Sequence, residues 1–403
     1  MSKLRLQIKP IKGRFQNLFK TGLAFFVALG VTLSISIPGA QAEFFPNMES
    51  QQIPTWLKVY AGLKPVKKPY ADFFSLMQPG YFEPENKPGM FKTYRLRTGL
   101  RGAVNSTVSY WMLFELASGP ANSAVGGAVR LLDGTITLSF KPVRLQFGQT
   151  VIPFSFDETA NAFNPWINYS DMSKRIYLTN HKGDVEMTNA AREMGVMAWQ
   201  EFKLADKVTW LYFIGAFNGT GMRQMDNNKA KDIIANTQFN YGPLKLAASF
   251  WNGASVQGED GRNYDKEKYE FRAVYGSHLP WHNKDKIWAM FEYQSAREDH
   301  PGDIEIKMNG YQTALGYRPT YNTLLTYRYS TYTEDAGTGK DLNIDMSSII
   351  FQYFVANAKP TQLRLMFQYD IRDNNMNPKD ENIFWFRLSG VFIHSIFGAG
   401  EKK

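Results

Sequence analysis

The chain has 403 residues, with 46 Lys and Arg against 37 Asp and Glu, an aromatic share of 15% and no cysteine. The lack of cysteine excludes a disulfide framework, a thiolate-ligated metal and a covalently attached c-type haem within this chain, so no cofactor is expected. The formal net charge of +9 would suit a nucleic-acid partner, but much of it sits in the first twenty residues.

Lys3, Arg5, Lys9, Lys12, Arg14 and Lys20 form a basic head. Thr21 to Ile37 is apolar, and Pro38-Gly-Ala-Gln-Ala42 ends in a small-residue A-x-A site. This is the pattern of a secretory signal, residues 1–42, cleaved before Glu43. Its loss takes six basic residues and leaves a net charge of about +3, which removes the case for nucleic acid. Beyond it no stretch is apolar enough for a transmembrane helix.

Residues 43–90 are broken by Pro46, Pro54, Pro65, Pro69, Pro79, Pro84 and Pro88. Within them Trp56 to Leu63 is a possible strand or short helix. From Phe91 alternation is clear. Tyr94, Leu96, Thr98 and Leu100 interleave with Arg95, Arg97, Gly99 and Arg101, and Asn105-Ser106 makes a turn. Val108, Tyr110, Met112, Phe114 and Leu116 form the apolar face of the next strand, and Val129 to Phe140 leads to a turn at Lys141-Pro142. Val143, Leu145 and Phe147 then alternate with Arg144, Gln146 and Gly148 until Pro153 ends the ladder. A connection from about Ser155 to Ala190 comes next, too long to be a plain link.

Further strands are predicted near 191–203, 207–218, 231–241, 244–252, 267–277, 285–296, 305–318, 322–333, 342–355, 361–372 and 382–393. Short turns alternate with longer polar loops at 219–230, 253–266, 297–304, 334–341 and 373–381, the layout of an outer-membrane barrel. Fifteen strands are clear from Phe91 onward. Single-chain bacterial barrels have an even number, so one more strand is required before Phe91, with Trp56–Leu63 available for it. The fold class is therefore all-β, a transmembrane antiparallel barrel of sixteen strands spanning 91–403 and that earlier strand, with residues 155–190 as a long third loop folded into the lumen. Rows such as Ile287, Ala289, Phe291 and Tyr293 would face outer-membrane lipid, with Tyr and Trp near strand ends as interfacial girdles.

The polar faces carry the functional candidates. Arg95, Arg97, Arg101, Arg144, Lys268, Arg272, Arg328, Arg364, Arg372 and Arg387 are placed inward, beside Glu115, Glu201, Glu270, Glu292 and Asp370. Such cations either attract anions or pair with the acids and stiffen the wall. Arg95, Arg97 and Arg101, with no acid on their own strand, are the best anion candidates. The long loop adds Lys174, Arg175, His181 and Lys182 among acids, with Phe154, Phe156, Phe163, Pro165 and Trp166 able to pack it on the wall. Catalytic signals are weak: no serine lies in a nucleophile elbow, and His278 and His282 read as a solvated turn rather than a metal pair.

Asp133-Gly-Thr-Ile-Thr-Leu-Ser-Phe140, then Arg144-Leu-Gln-Phe-Gly148-Gln149, Pro153-Phe154-Ser155, Arg192-Glu-Met-Gly195, Gly215-Ala-Phe-Asn218-Gly219-Thr-Gly221 and Asn227-Asn228-Lys-Ala-Lys231-Asp232 resemble the phosphate-selective porin O and P family. The resemblance covers roughly Tyr94 to Gly253. It implies a sixteen-stranded homotrimeric channel whose third loop lies in the pore and whose basic residues conduct anions. Asn236 stands where the family often has arginine. The expectation is a passive outer-membrane porin for small ions and hydrophilic solutes with modest anion preference. The alternatives are a barrel that sheathes a partner such as an electron-transfer cytochrome, and an outer-membrane hydrolase, which the few histidines disfavour.

Overall fold

The computed structural model describes residues 69–397, apart from 86, 117–128, 141–142, 158–163, 178–191, 220–229, 258–262, 280–285, 301–303, 338–340 and 357–361. The expected signal at 1–42, the segment Trp56–Leu63, and Phe163, His181, Lys182 and His282 lie outside the described residues.

Sixteen strands make one closed antiparallel barrel in sequence order. They are β1 (Tyr70–Pro84), β2 (Met90–Ala103), β3 (Val108–Glu115), β4 (Arg130–Ser139), β5 (Arg144–Val151), β6 (Arg192–Ala205), β7 (Val208–Phe217) and β8 (Asp232–Tyr241). Then come β9 (Leu244–Gln257), β10 (Asn263–Tyr275), β11 (Ile287–His300), β12 (Ile304–Tyr317), β13 (Thr323–Asp335), β14 (Leu342–Ala356), β15 (Gln362–Asn374) and β16 (Asn377–Phe397). Closure pairs β1 with β16, for example Phe74 with Ile393 and Leu76 with Val391. It satisfies every ladder without an edge, the condition for crossing lipid with strands.

Parity placed a strand before Phe91, and the structure puts it at Tyr70–Pro84 rather than at Trp56–Leu63. Two prolines disguise it. Pro84 is its last residue, and Pro79 sits at a register shift against β2, where the ladder tolerates a missing N–H. The strands also run into the expected loops. The predicted loop 373–381 is a tight hairpin at Asn375 and Met376, because polar alternating sequence still pairs above an apolar band.

The two faces are inverted relative to a soluble protein. The outward row carries the exposed apolar residues, among them Phe147, Ile287, Phe291, Tyr293, Leu325, Phe367 and Ile371. The inward row carries buried polar residues such as Arg97, Glu115, Glu292, Gln312, Arg328 and Asp370. No described helix is long and apolar enough to cross a membrane. Exposed tyrosines mark the strand ends at the short-turn rim: Tyr241, Tyr275, Tyr317 and Tyr353. Tryptophan departs from the expected girdle. Trp210 is outward, stacked on Phe202 and Phe239, but Trp111, Trp166, Trp199, Trp251, Trp288 and Trp385 all lie inside. Their register partners are inward groups, such as Arg101 for Trp111 and Lys268 for Trp251.

Candidate functional site

After β5 the chain leaves the wall. Gly148 prepares the exit with φ +121°, and a Cβ there would meet the Gly134 carbonyl oxygen at 2.0 Å. Pro153 has no N–H to offer a neighbouring strand. Ser155 then turns the backbone with φ +65°, in the left-handed region. The chain around and beyond this turn is buried: residues 154–157 and 164–173 have little or no exposed surface. The segment ends in one π-helical turn, Ser173–Tyr177.

Asp157 ties the two described parts of this segment together. Its carboxylate accepts from Trp166 Nε1 at 2.7 Å and from the Ser170 N–H at 3.3 Å, and its carbonyl accepts from Asn164 Nδ2 at 3.0 Å. Phe156 packs against Trp166 at a tilt, and Trp166 lies beside Trp288 of β11. His278, expected in a solvated turn, packs its ring against Phe156 and Trp288 instead, which fits an aromatic floor under the segment.

Wall arginines hold the segment by its backbone. Arg328 on β13 donates to the Asn168 carbonyl at 2.9 Å and lies over the Trp166 ring. Arg364 on β15 donates to the Asn164 carbonyl at 2.9 Å, and Arg387 on β16 to the Trp166 carbonyl at 3.2 Å. Gln352 on β14 reaches the Pro165 carbonyl, and Gln368 on β15 accepts from the Ile167 N–H at 2.6 Å. From β2, β10 and β11 respectively, Arg95 donates to the Tyr169 hydroxyl at 2.6 Å, Lys268 donates to the Ile176 carbonyl at 2.7 Å, and Glu292 accepts from the Phe156 N–H. Gly310 leaves room for the turn, since a Cβ there would meet the Met172 side chain at 3.0 Å.

The remaining candidates divide by partner. Arg97 bonds Glu115 at 2.8 Å with both side chains nearly fully buried, and Arg101 bonds Asp72 at 3.0 Å. These two were expected to meet anions because their own strand holds no acid. A sheet pairs side chains across strands, so Glu115 on β3 and Asp72 on β1 decide the matter. Arg272 pairs with Glu270, Arg175 with Glu334, and Arg144 bonds Gln200 and covers the Trp199 ring. Arg372 grips Asp171 through two donors at 3.0 and 3.2 Å. Burial opposes charge on Asp171, but Lys174, the Arg372 hydrogen bonds and Arg175 outweigh it and hold the carboxyl below its ordinary pKa. Lys174 donates to Asn168 Oδ1 at 2.6 Å, and burial lowers its pKa despite Asp171 and Asp370.

One group of cations lies together where the barrel closes. Arg95, Gln78, Ser389 and Arg364 form one inward row across β2, β1, β16 and β15. Lys92, Gly80, Arg387 and Met366 form the next. Arg387 bonds the Trp166 carbonyl and the Met366 sulfur, makes no ion pair among the described residues, and feels the charges of both Arg364 and Arg95. Lys92 was missed in the sequence because parity along β2 flips at its register shift beside Tyr94: Arg95 pairs with Gln78, yet Lys92 pairs with Gly80. Among the described residues no cluster of His, Asp and Glu could hold a metal.

Comparison with known proteins places this geometry. No curated protein is a sequence match to the chain. A loop-deletion form of OmpT, an outer membrane protein of Vibrio cholerae, is 14% identical over 81% of this chain and 100% of its own, with a TM-score of 0.60. In-vitro folded OmpT in its trimer form gives 14% identity, 81% and 100% coverage and a TM-score of 0.57. An anion-selective porin from Comamonas acidovorans gives 12% identity, the same coverage and a TM-score of 0.57. These likenesses are of fold. The phosphate-selective porin O and P family matches residues 74–280, just over half of the sequence, from the first strand of the closure to the turn after β10. By that match, joined to the sixteen-stranded closed barrel, the chain belongs to the phosphate-selective porin O and P family.

Proposed function

We propose that the chain is a homotrimeric porin of the bacterial outer membrane, a passive diffusion channel for small ions and hydrophilic solutes that prefers anions, and not an enzyme. The observation that carries the reading is the paired row at barrel closure, where Arg95, Arg364, Arg387 and Lys92 line one inward strip and Arg387 has no carboxylate within reach among the described residues. A guanidinium whose acceptors are backbone carbonyls keeps its full charge, so the strip presents a positive field to a passing solute. The described parts of the inner segment, 152–157 and 164–177, narrow the path beside it, and the acid–base pairs elsewhere on the wall set its shape. The anion-selective porin and the trimeric OmpT of the same fold support the solute sign and the oligomer.

The test is conductance of purified protein in a planar bilayer, with the reversal potential read across a salt gradient. Discrete steps with a reversal potential of anion sign support the reading; cation selectivity overturns it. A second reading has its own observation. Toward the short-turn rim the inward side chains Trp111, Trp199, Trp288 and Phe354 are packed in an apolar cluster with almost no exposed surface, which suits a barrel closed to solutes. Folded protein that conducts nothing and co-purifies with a haem protein would establish a barrel that sheathes a partner instead.

A further inference from the structure

Above the arginine strip the wall changes chemistry. Phe82 and Trp385 pair across β1 and β16 with ring centroids 4.4 Å apart, and Tyr94 lies 6.0 Å from Trp385. These rings form an aromatic floor with Ile167 of the inner segment and Met366. It is not sealed: Phe82 and Tyr94 are only half-buried. Trp385 is fixed from behind, its Nε1 donating to Asp370 at 2.8 Å. Over the floor stands Lys92, exposed, with its ammonium 4.5 Å from the Tyr94 centroid and 5.6 Å from that of Phe82. It makes no ion pair among the described residues. The charge of Lys174 is close enough to act on it.

The nearby acids are occupied. Asp370 accepts from Trp385, Asn168 and Gln368, and Asp171 is gripped by Arg372. Gly80 keeps the floor continuous with the strip below, since a Cβ there would come 2.7 Å from the Tyr94 ring and 3.2 Å from the Arg387 backbone. Resting on the anion-channel reading and refining its substrate class, we infer that Lys92, with the Phe82–Tyr94–Trp385 floor, is a binding site for organic anions with a flat apolar body, of which an aromatic monocarboxylate is the simplest. The chemistry is selective in two ways. A lone ammonium is a point charge and suits one carboxylate, whereas a phosphate is best gripped by the forked donors of arginine. The rings beside it offer apolar surface and edge or offset stacking, which acetate or phosphate cannot use. The ligand then passes from the floor to Arg387 in the row of Lys92 and to Arg95 in the row beside it.

The experiment is isothermal titration of the folded full-length barrel in detergent with benzoate, acetate and inorganic phosphate, beside bilayer conductance of the same sample. Benzoate is expected to bind about tenfold more tightly than acetate or phosphate. Lys92→Gln should abolish benzoate binding, and Tyr94→Leu should remove most of the advantage over acetate. Heat-modifiability on gels would confirm that both variants remain folded. Equal binding of benzoate and acetate, tightest binding of phosphate, or benzoate binding unchanged in Lys92→Gln overturns the inference. Anion-selective conductance without a preference for benzoate leaves the channel standing and removes only the site. Benzoate binding without conductance keeps the site and removes the open channel.

Discussion

The barrel treats its buried cations in two ways, and the contrast separates structure from function. Around β6 to β10 the buried cations Arg192, Lys266, Lys268 and Arg272 each meet a carboxylate. Arg192 bonds Asp133 at 3.0 Å, Lys266 bonds Asp232 at 2.7 Å, and Lys268 bonds Glu298 at 2.8 Å, all nearly fully buried. Ser249 and Arg272 both turn to Glu270. At closure Arg97, Arg101 and Arg372 also keep carboxylate partners, but Arg387 on β16 bonds the Trp166 carbonyl and the Met366 sulfur and makes no ion pair among the described residues. A matched pair sums to no net charge and projects little field. A cation held by neutral dipoles keeps its charge, worth about 2 kcal/mol on a unit anion ~8 Å away at an effective dielectric near 20. On the proposed reading the wall is stiffened where it is paired, and the charges of Arg387 and Lys92 attract anions.

Breaking a matched pair should produce the largest effect. Arg192→Ala strands a buried Asp133, and removal of one partner of such a pair costs about 3–5 kcal/mol. Urea or heat unfolding should show the loss, while the sign of the reversal potential stays the same. At closure the expected outcome is the reverse. Arg387→Gln removes a neutral-acceptor hydrogen bond worth about 1–2 kcal/mol but should shift the reversal potential clearly toward zero, and Arg387→Gln with Arg95→Gln should shift it further.

Asp171 sharpens the contrast through pH. Its carboxyl is held below the ordinary value in the folded protein, so its contribution is fully present above the ordinary carboxylate pKa. It is lost as pH falls through the lowered folded value. Limited proteolysis within residues 152–177 should therefore accelerate only in that acid window, and Asp171→Asn should show the fast cleavage already at neutral pH. The smallest effect is expected at Ser155. Ser155→Gly relieves a left-handed φ but gives up the hydroxyl contact with Ser173 at 3.2 Å, so the net change in unfolding free energy should stay within about 1 kcal/mol.

The strand plan was legible because lipid and lumen impose alternation on every strand, and from Phe91 onward nothing interrupts it for long. The first strand was legible only as a count. Pro79 and Pro84 hide it, and nothing in the sequence announces a register shift at Gln78. The inward placement of the arginines was readable for the same reason as the strands. Their partners were not. Glu115 meets Arg97 and Asp72 meets Arg101 through strand register, which a sequence does not print. The carbonyls of Asn164, Trp166 and Asn168 are invisible as acceptors, because every residue has one. Lys92 was hidden by one extra residue in β2, and the inner tryptophans by an expectation borrowed from the lipid interface.

Closure by β1 and β16 has a consequence for biogenesis. Lys92 and Arg95 come from the second strand and Arg364 and Arg387 from the last two, so their strip does not exist until the chain ends meet. A nascent or truncated chain would carry every one of these residues except those not yet made, and still have no track. On the proposed reading, assembly of the fold and appearance of the anion track are then a single event.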